Sequence, residues 1–147
     1  MFRERAKLYN RLQFFFDLLA TSAAFPPAYF SRVHLQRVLP PELDRLLNPA
    51  LLPPGDYLWI VALAVCCWSV AAFSLGLYRI SMRRSGWERV RIVLESSLIL
   101  WLFLGFLSFA LKLDLSRPLI ALFVLYQAAI LVAARLVVLL HARRKGL

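Results

Sequence analysis

The stretch that decides the fold is residues 119–140, LIALFVLYQAAILVAARLVVLL. Its length is close to the ~20 residues that an α-helix needs to cross ~30 Å of hydrocarbon. Similar stretches lie at residues 12–30, 57–77 and 92–111. The chain is 61% hydrophobic, with a mean hydropathy of +0.68. The sequence therefore predicts an all-α integral membrane protein, a four-helix bundle that forms a single membrane domain over residues 1–147.

Positive charge is distributed unevenly around these four stretches. The formal net charge is +10. Twelve Lys and Arg residues lie before the first stretch, between the second and third, and after the fourth, whereas five lie in the other two connections. The positive-inside rule then predicts that both termini are cytoplasmic. Since the basic residues flank apolar spans, we expect them to meet the membrane and not a nucleic acid.

The connection between the first two spans is rich in proline. Pro26 and Pro27 predict a kink or an end of the first helix near the far interface. A periplasmic loop then covers residues 31–56, and within it residues 41–47, PELDRLL, predict a short helix. This helix would either cap the bundle or lie among the headgroups of the outer leaflet.

The segment between the second and third spans is the most basic in the chain. Ser85 and Glu88 match a capping box, so the third helix should begin just after Ser85. We expect the arginines here to contact anionic headgroups, and a specific diphosphate site is the alternative reading. These arginines are Arg79, Arg83, Arg84, Arg89 and Arg91.

A short turn joins the third and fourth spans and makes them antiparallel neighbours. Pro118 fits the first turn of the fourth helix, where a missing N–H group costs little. Asp114 or Ser116 can cap the exposed amides of that helix, with Arg117 between Ser116 and the proline. This helix cap is the plain structural interpretation of the turn.

Three charged residues lie within the spans: Asp17, Glu95 and Arg135. All three fall within ~5–8 Å of the same interface at ~1.5 Å per residue, so each could extend separately to the headgroups. Intramembrane charges usually face the bundle interior and pair. We therefore hypothesise that Arg135 bridges Asp17 or Glu95, with Arg91 competing for Glu95 on the same helix.

No catalytic or metal-binding constellation stands out in the sequence. His34 and His141 fall on opposite faces of the predicted membrane, and the adjacent Cys66 and Cys67 lie within a span, where we expect them to pack. The middle of each span is expected to be apolar apart from a few serines, which disfavours a transport path. We therefore expect no cofactor and no enzymatic activity in this chain alone.

Several short runs are familiar. They resemble the N-terminal membrane region of the large bacterial polyprenyl-phosphate glycosyl-1-phosphate transferases, which begin exopolysaccharide or O-antigen synthesis. The resemblance rests on Gly76-Leu77-Tyr78-Arg79, Asp114-Leu115-Ser116-Arg117-Pro118, Arg135 and Arg143-Arg144-Lys145-Gly146.

In that family a four-helix membrane region precedes soluble domains, and the catalytic one transfers sugar 1-phosphate from a UDP-sugar to undecaprenyl phosphate. Its Asp-Glu pair and magnesium ion belong to that catalytic domain, so no catalytic residue carries over to this chain, and we expect the soluble domains to follow residue 147. The resemblance implies a bacterial inner-membrane location. The implied partners are anionic lipid, polyprenyl phosphate, and a soluble sugar-transferase domain or a partner subunit; homo-oligomerisation stays open.

Two alternatives remain. The chain could be the four-span anchor of a membrane nucleotide-sugar dehydratase, a family with a similar end to its second span. The aromatic-rich run that usually follows in that family is replaced here by Ile80-Ser81-Met82-Arg83-Arg84. The chain could also be an accessory structural subunit of a larger membrane complex.

Overall fold

The computed structural model describes residues 2–38, 40, 42, 51–78, 86–112 and 116–144, which are mostly helical with no strand among them. The α-helices whose bounds lie within these residues are, in order, α1 (Phe2–Ala23), α2 (Phe25–Val38), α3 (Leu58–Ser74), α4 (Gly86–Ala110) and α5 (Arg117–Arg144). A 3₁₀ turn, Pro54–Tyr57, leads into α3. The fold is therefore all-helical, as the sequence predicts.

Three of these helical segments are long and apolar enough to cross a membrane: Pro54–Ser74, Gly86–Ala110 and Arg117–His141. They overlap the second, third and fourth spans of the sequence analysis. The first predicted span, residues 12–30, is divided between α1 and α2, and α1 also carries the charged residues Lys7, Arg11 and Asp17. Residues 12–30 therefore do not form one long apolar helix.

The junction between α1 and α2 is one residue wide. Ala24 interrupts the helix, yet its N–H group still donates to the Ala20 carbonyl, and Ala28 donates to Ala24. Pro26 and Pro27 then lie in the first turn of α2, where their missing N–H groups are tolerated. The sequence-based loop over residues 31–56 is wrong at its start, because α2 continues to Val38. The short helix over residues 41–47 lies outside the described residues, except Glu42, which is helical.

Helices α4 and α5 pack most extensively against each other, while α2 packs on α5, α3 packs on α4, and α1 contacts α3 and α5. α4 begins at Gly86, as the capping-box pattern predicts. A Cβ atom placed on Gly86 would overlap the Leu139 side chain, so the start of α4 meets the last turns of α5. The two helices are thus antiparallel neighbours.

The exterior of the packed helices is apolar, unlike that of a soluble protein, and the largely apolar core also holds several polar groups. Large apolar side chains such as Phe15, Leu19, Phe30 and Phe106 point outward and are 61% to 70% exposed. Eight polar or charged residues are buried instead: Asp17, Thr21, Arg32, Ser96, Ser97, Ser116, Gln127 and Arg135. An apolar exterior with the charged groups turned inward is what a hydrocarbon solvent favours.

Candidate functional site

The most polar part of the interior is an ion pair between α1 and α5. Arg135 Nη2 donates to Asp17 Oδ2 at 2.5 Å, and the two side chains are 7% and 0% exposed. The structure thus brings together Arg135 and one of the two carboxylates that the sequence offers it. Because both groups are buried, the alternative in which each extends separately to the headgroups does not describe this pair.

Two more side chains complete the pair. The Tyr78 hydroxyl donates to the same Asp17 oxygen at 2.7 Å. The Gln13 amide, oriented with its oxygen toward the guanidinium, accepts from Arg135 Nη2 at 2.9 Å and Nη1 at 2.5 Å. Asn10 Nδ2 donates to the Tyr78 carbonyl at 2.9 Å. We call these five residues the Asp17 cluster.

The turn after α3 explains why Tyr78 reaches Asp17. Gly76 has a φ of 74°, a left-handed conformation that glycine adopts at little cost. The Leu77 N–H group donates to the Ala72 carbonyl at 2.9 Å, and the Gly76 N–H group donates to the Phe73 carbonyl at 3.0 Å. These two bonds form a Schellman motif, which ends α3 and directs the chain back toward α1.

Aromatic contacts hold the Tyr78 ring in place. Its centroid lies 5.4 Å from that of Phe14, edge-on, and 5.0 Å from that of Phe73, distances typical of favourable aromatic pairs. Burial, followed by the charge of Asp17, raises the pKa of the Tyr78 hydroxyl above its ordinary value of 10.0. Tyr78 therefore stays protonated and remains a hydrogen-bond donor to the carboxylate.

The cluster connects three parts of the chain that are far apart in sequence: the first helix, the end of the third helix and the last helix. A buried ion pair of this kind is favourable only when further hydrogen bonds satisfy it. Tyr78 and Gln13 supply such bonds here, whereas Asp17 Oδ1 has no partner among the described residues. Removing one charge would leave the other buried and unpaired. The Asp17 cluster thus links and stabilises the packed helices.

Glu95 lies in a different environment. Its Oε1 accepts from Arg91 Nε at 2.7 Å within α4, and the two side chains are 40% and 79% exposed. The competition between Arg135 and Arg91 that the sequence leaves open therefore resolves in favour of Arg91. An exposed pair one helical turn apart contributes little to stability.

The remaining predicted headgroup residues are only partly described. Arg79, Arg83 and Arg84 lie outside the described residues. Arg89, in the first turn of α4, is partly buried, and Arg91 is exposed beside Glu95. The structure thus shows one exposed guanidinium at this end of α4, already engaged by a carboxylate.

The turn before α5 has a role that the sequence analysis did not anticipate. Asp114 lies outside the described residues, Arg117 is exposed and Pro118 lies at the second position of α5. The Ser116 carbonyl accepts the first helical bonds, from Leu119 and Ile120. Its hydroxyl accepts from Arg32 Nε at 2.8 Å, and both side chains are fully buried. Ser116 therefore links the start of α5 to α2.

The expectation of apolar span centres is wrong for α5. Gln127 is fully buried near its middle and accepts a hydrogen bond from Ser97 of α4 at 3.0 Å. A polar amide within a long apolar stretch was the signal for this contact. For the Asp17 cluster the signal was the spacing of Asn10, Gln13 and Asp17 at i, i+3 and i+7, which places them on one helix face.

The described residues contain no group of three or more His, Cys, Asp or Glu side chains placed to hold a metal ion. His34 and His141 are exposed, on α2 and α5. Cys66 is exposed, Cys67 is partly buried, and both are free thiols. Compared with known proteins, the chain matches no family model, no curated protein and no solved structure.

Proposed function

We propose that this chain is the membrane domain that anchors and positions a polyprenyl-phosphate glycosyl-1-phosphate transferase at the inner leaflet of a bacterial inner membrane, and that it is itself non-catalytic. The observation that supports this proposal is that residues of the family-like motifs make buried hydrogen bonds between helices. Tyr78 and Arg135 bind Asp17, and Ser116 binds Arg32. Each of these bonds joins two helical regions, as expected for a domain whose role is structural.

In this proposal the chain crosses the membrane four times, and α1 with α2 make the first crossing. The buried face of these two helices carries Asp17, Ala24, Ala28 and Arg32, all 0% exposed. Their charges therefore point away from lipid. The outward face carries large apolar residues such as Phe15, Leu19 and Phe30. This arrangement supports a spanning pair of helices that a hydropathy window alone does not find.

The orientation in this proposal follows the charge distribution, with both termini cytoplasmic. Cysteine accessibility tests it in a protein whose Cys66 and Cys67 are replaced by alanine. Asn48→Cys should react with an impermeant maleimide in intact cells, whereas Ser85→Cys should react only after the cells are opened. Labelling of the Ser85→Cys protein in intact cells would contradict this orientation and support the opposite one.

The enzymatic part of the proposal is tested at the gene and in the assay. We expect the natural reading frame to continue past codon 147 into a soluble sugar-transferase domain. We also expect the whole protein, with Mg²⁺, to transfer sugar phosphate from a UDP-sugar to undecaprenyl phosphate, and the purified chain of residues 1–147 to transfer none. Transfer by this chain alone would contradict the anchor role.

The two alternatives correspond to other outcomes of the same experiment. A stop codon directly after codon 147 would favour an accessory subunit. A dehydratase domain after codon 147 would favour the second anchor family. In this proposal the magnesium ion implied by the resemblance belongs to the soluble catalytic domain, as it does in the family that the chain resembles.

A further inference from the structure

Three helices each contribute a fully buried polar side chain to one level of the helix packing: Trp68 from α3, Ser96 from α4 and Gln127 from α5. The hydrogen bond from Ser97 Oγ to Gln127 Oε1, 3.0 Å long, aligns α4 with α5 at this level. Together we call Trp68, Ser96, Ser97 and Gln127 the polar layer.

The residues that line a small cavity show the register of α3 against α4. Ile60, near the start of α3, and Leu104, near the end of α4, both line it, so the two helices run antiparallel. Eight residues along each helix, about 12 Å at ~1.5 Å per residue, lead from Ile60 to Trp68 and from Leu104 to Ser96. This register places Trp68 and Ser96 at about the same depth in the helix packing as the bonded pair of Ser97 and Gln127.

Three atoms of the polar layer have no hydrogen-bond partner among the described residues: Trp68 Nε1, Ser96 Oγ and Gln127 Nε2. The indole N–H and the amide NH₂ are donors only, and the hydroxyl can donate or accept. Buried polar groups of native proteins are nearly always satisfied, in many cases by an ordered internal water. The three atoms require an acceptor small enough to fit among fully buried side chains.

We propose that the polar layer is an internal hydration site, in which water bridges Trp68 Nε1, Ser96 Oγ and Gln127 Nε2. Water fits because it accepts two hydrogen bonds and still donates to the serine hydroxyl. The cavity at Ile60 and Leu104, about 20 Å³ in volume, lies ~12 Å along the helices from the polar layer. It is lined largely by apolar side chains such as Phe123 and offers a water few bonds. The hydrated contact fixes how α3, α4 and α5 are rotated against one another, which goes beyond the anchor role.

A single-tryptophan protein tests the proposal. Replacement of Trp59, Trp87 and Trp101 by Phe leaves Trp68 as the sole emitter, and Ser96→Ala is then introduced. Loss of the bridging water should shift the emission maximum of Trp68 to shorter wavelength and lower the Tm in detergent. As a control, Ser22→Ala removes an exposed hydroxyl that bonds its own helix at Leu18 and should leave the emission unchanged.

If the layer is dry, Ser96→Ala removes an unsatisfied hydroxyl and should stabilise the protein. An unchanged emission maximum, or a Tm that stays the same or rises, therefore overturns the proposal. Should the variant fail to fold, NMR of the Trp68 protein decides. Transfer of magnetisation from water to its indole N–H supports the site. A protein that retains only the exposed Trp87 is the control and should show this transfer. If the control shows the transfer and the Trp68 protein does not, the proposed site is wrong.

Discussion

Arg135 and Asp17 are 118 residues apart in sequence, and Arg135 Nη2 nevertheless lies 2.5 Å from Asp17 Oδ2 inside the packed helices. Both charges are removed from solvent, so each depends on the other and on Tyr78 and Gln13 to remain ionised at tolerable cost. The pair closes the first helix onto the last one. Its energetic role can be measured directly, because a weakly coupled ion pair exists elsewhere in the same chain.

A double-mutant cycle on this pair should show strong coupling. Each single variant, Asp17→Asn or Arg135→Gln, leaves a buried unpaired charge and should lower the free energy of unfolding by about 3–5 kcal/mol. The double variant should lose less unfolding free energy than either single variant. Thermal and denaturant unfolding in detergent measure these values. The cycle of Arg91→Gln and Glu95→Gln, on the exposed pair, is the control and should show little coupling. Additive losses at Asp17 and Arg135 would refute the coupling.

Tyr78→Phe should remove one hydrogen bond to a charged acceptor without disturbing the aromatic contacts with Phe14 and Phe73. We expect a loss of about 1.5–3 kcal/mol in unfolding free energy. Tyr126→Phe is the matched control, because its hydroxyl bonds the neutral Ser31 at 2.8 Å, and a loss of about 0.5–1.5 kcal/mol is expected there. Equal losses for the two variants would mean that Tyr78 does not serve a buried charge.

The two glycines of α4 should respond oppositely to alanine. In Gly86→Ala the new Cβ atom overlaps the Leu139 side chain, and the overpacking should cost about 1–3 kcal/mol. Gly105 has no atom within 4 Å of an added Cβ, so Gly105→Ala should be neutral or gain up to ~1 kcal/mol in helix propensity. Adding Leu139→Ala to Gly86→Ala should recover part of the loss; no recovery would place the strain elsewhere.

Two helix ends should also respond with opposite signs. Gly76 and Lys112 both have positive φ, 74° and 48°. Gly76→Ala forces a Cβ atom into the left-handed region and should destabilise by about 1–2 kcal/mol. Lys112→Gly relieves the left-handed strain, about 1–2 kcal/mol, and loses about 0.5–1 kcal/mol because glycine is more flexible in the unfolded chain. A net stabilisation of up to ~1 kcal/mol is expected. Lys112→Ala removes the charge but keeps the strain, so a gain in that control as large as in Lys112→Gly would attribute the effect to charge.

Local features of the fold are readable from the sequence. Apolar length and composition over residues 57–77, 92–111 and 119–140 indicate α3, α4 and α5, which overlap these ranges. Ser85 with Glu88 indicates the start of α4 at Gly86. The same local reasoning predicts a kink or an end near Pro26 and Pro27, where α1 does end at Ala23, but it misses that a second helix begins at once at Phe25. Proline is incompatible with a helix interior but compatible with a first turn, and only the break at Ala24 decides which case applies.

The site is only partly readable in the same way. Asp17, Glu95 and Arg135 stand out because charges are rare in apolar stretches. Tyr78 does not, because its importance depends on the left-handed turn at Gly76 and on where the next helix lies. Gln127 was overlooked although its polarity was visible, and its partner Ser97 is unremarkable in sequence.

The sequence by itself determined the helical class, three helices long and apolar enough to span a membrane, and the short set of charges that must be buried or paired. These follow from sums over neighbouring residues, since hydrophobicity and helix propensity act locally. Only the tertiary structure decided that Arg135 faces Asp17 while Glu95 stays with Arg91. That choice depends on the rotation of each helix about its axis, which is set by the packing of all the helices at once.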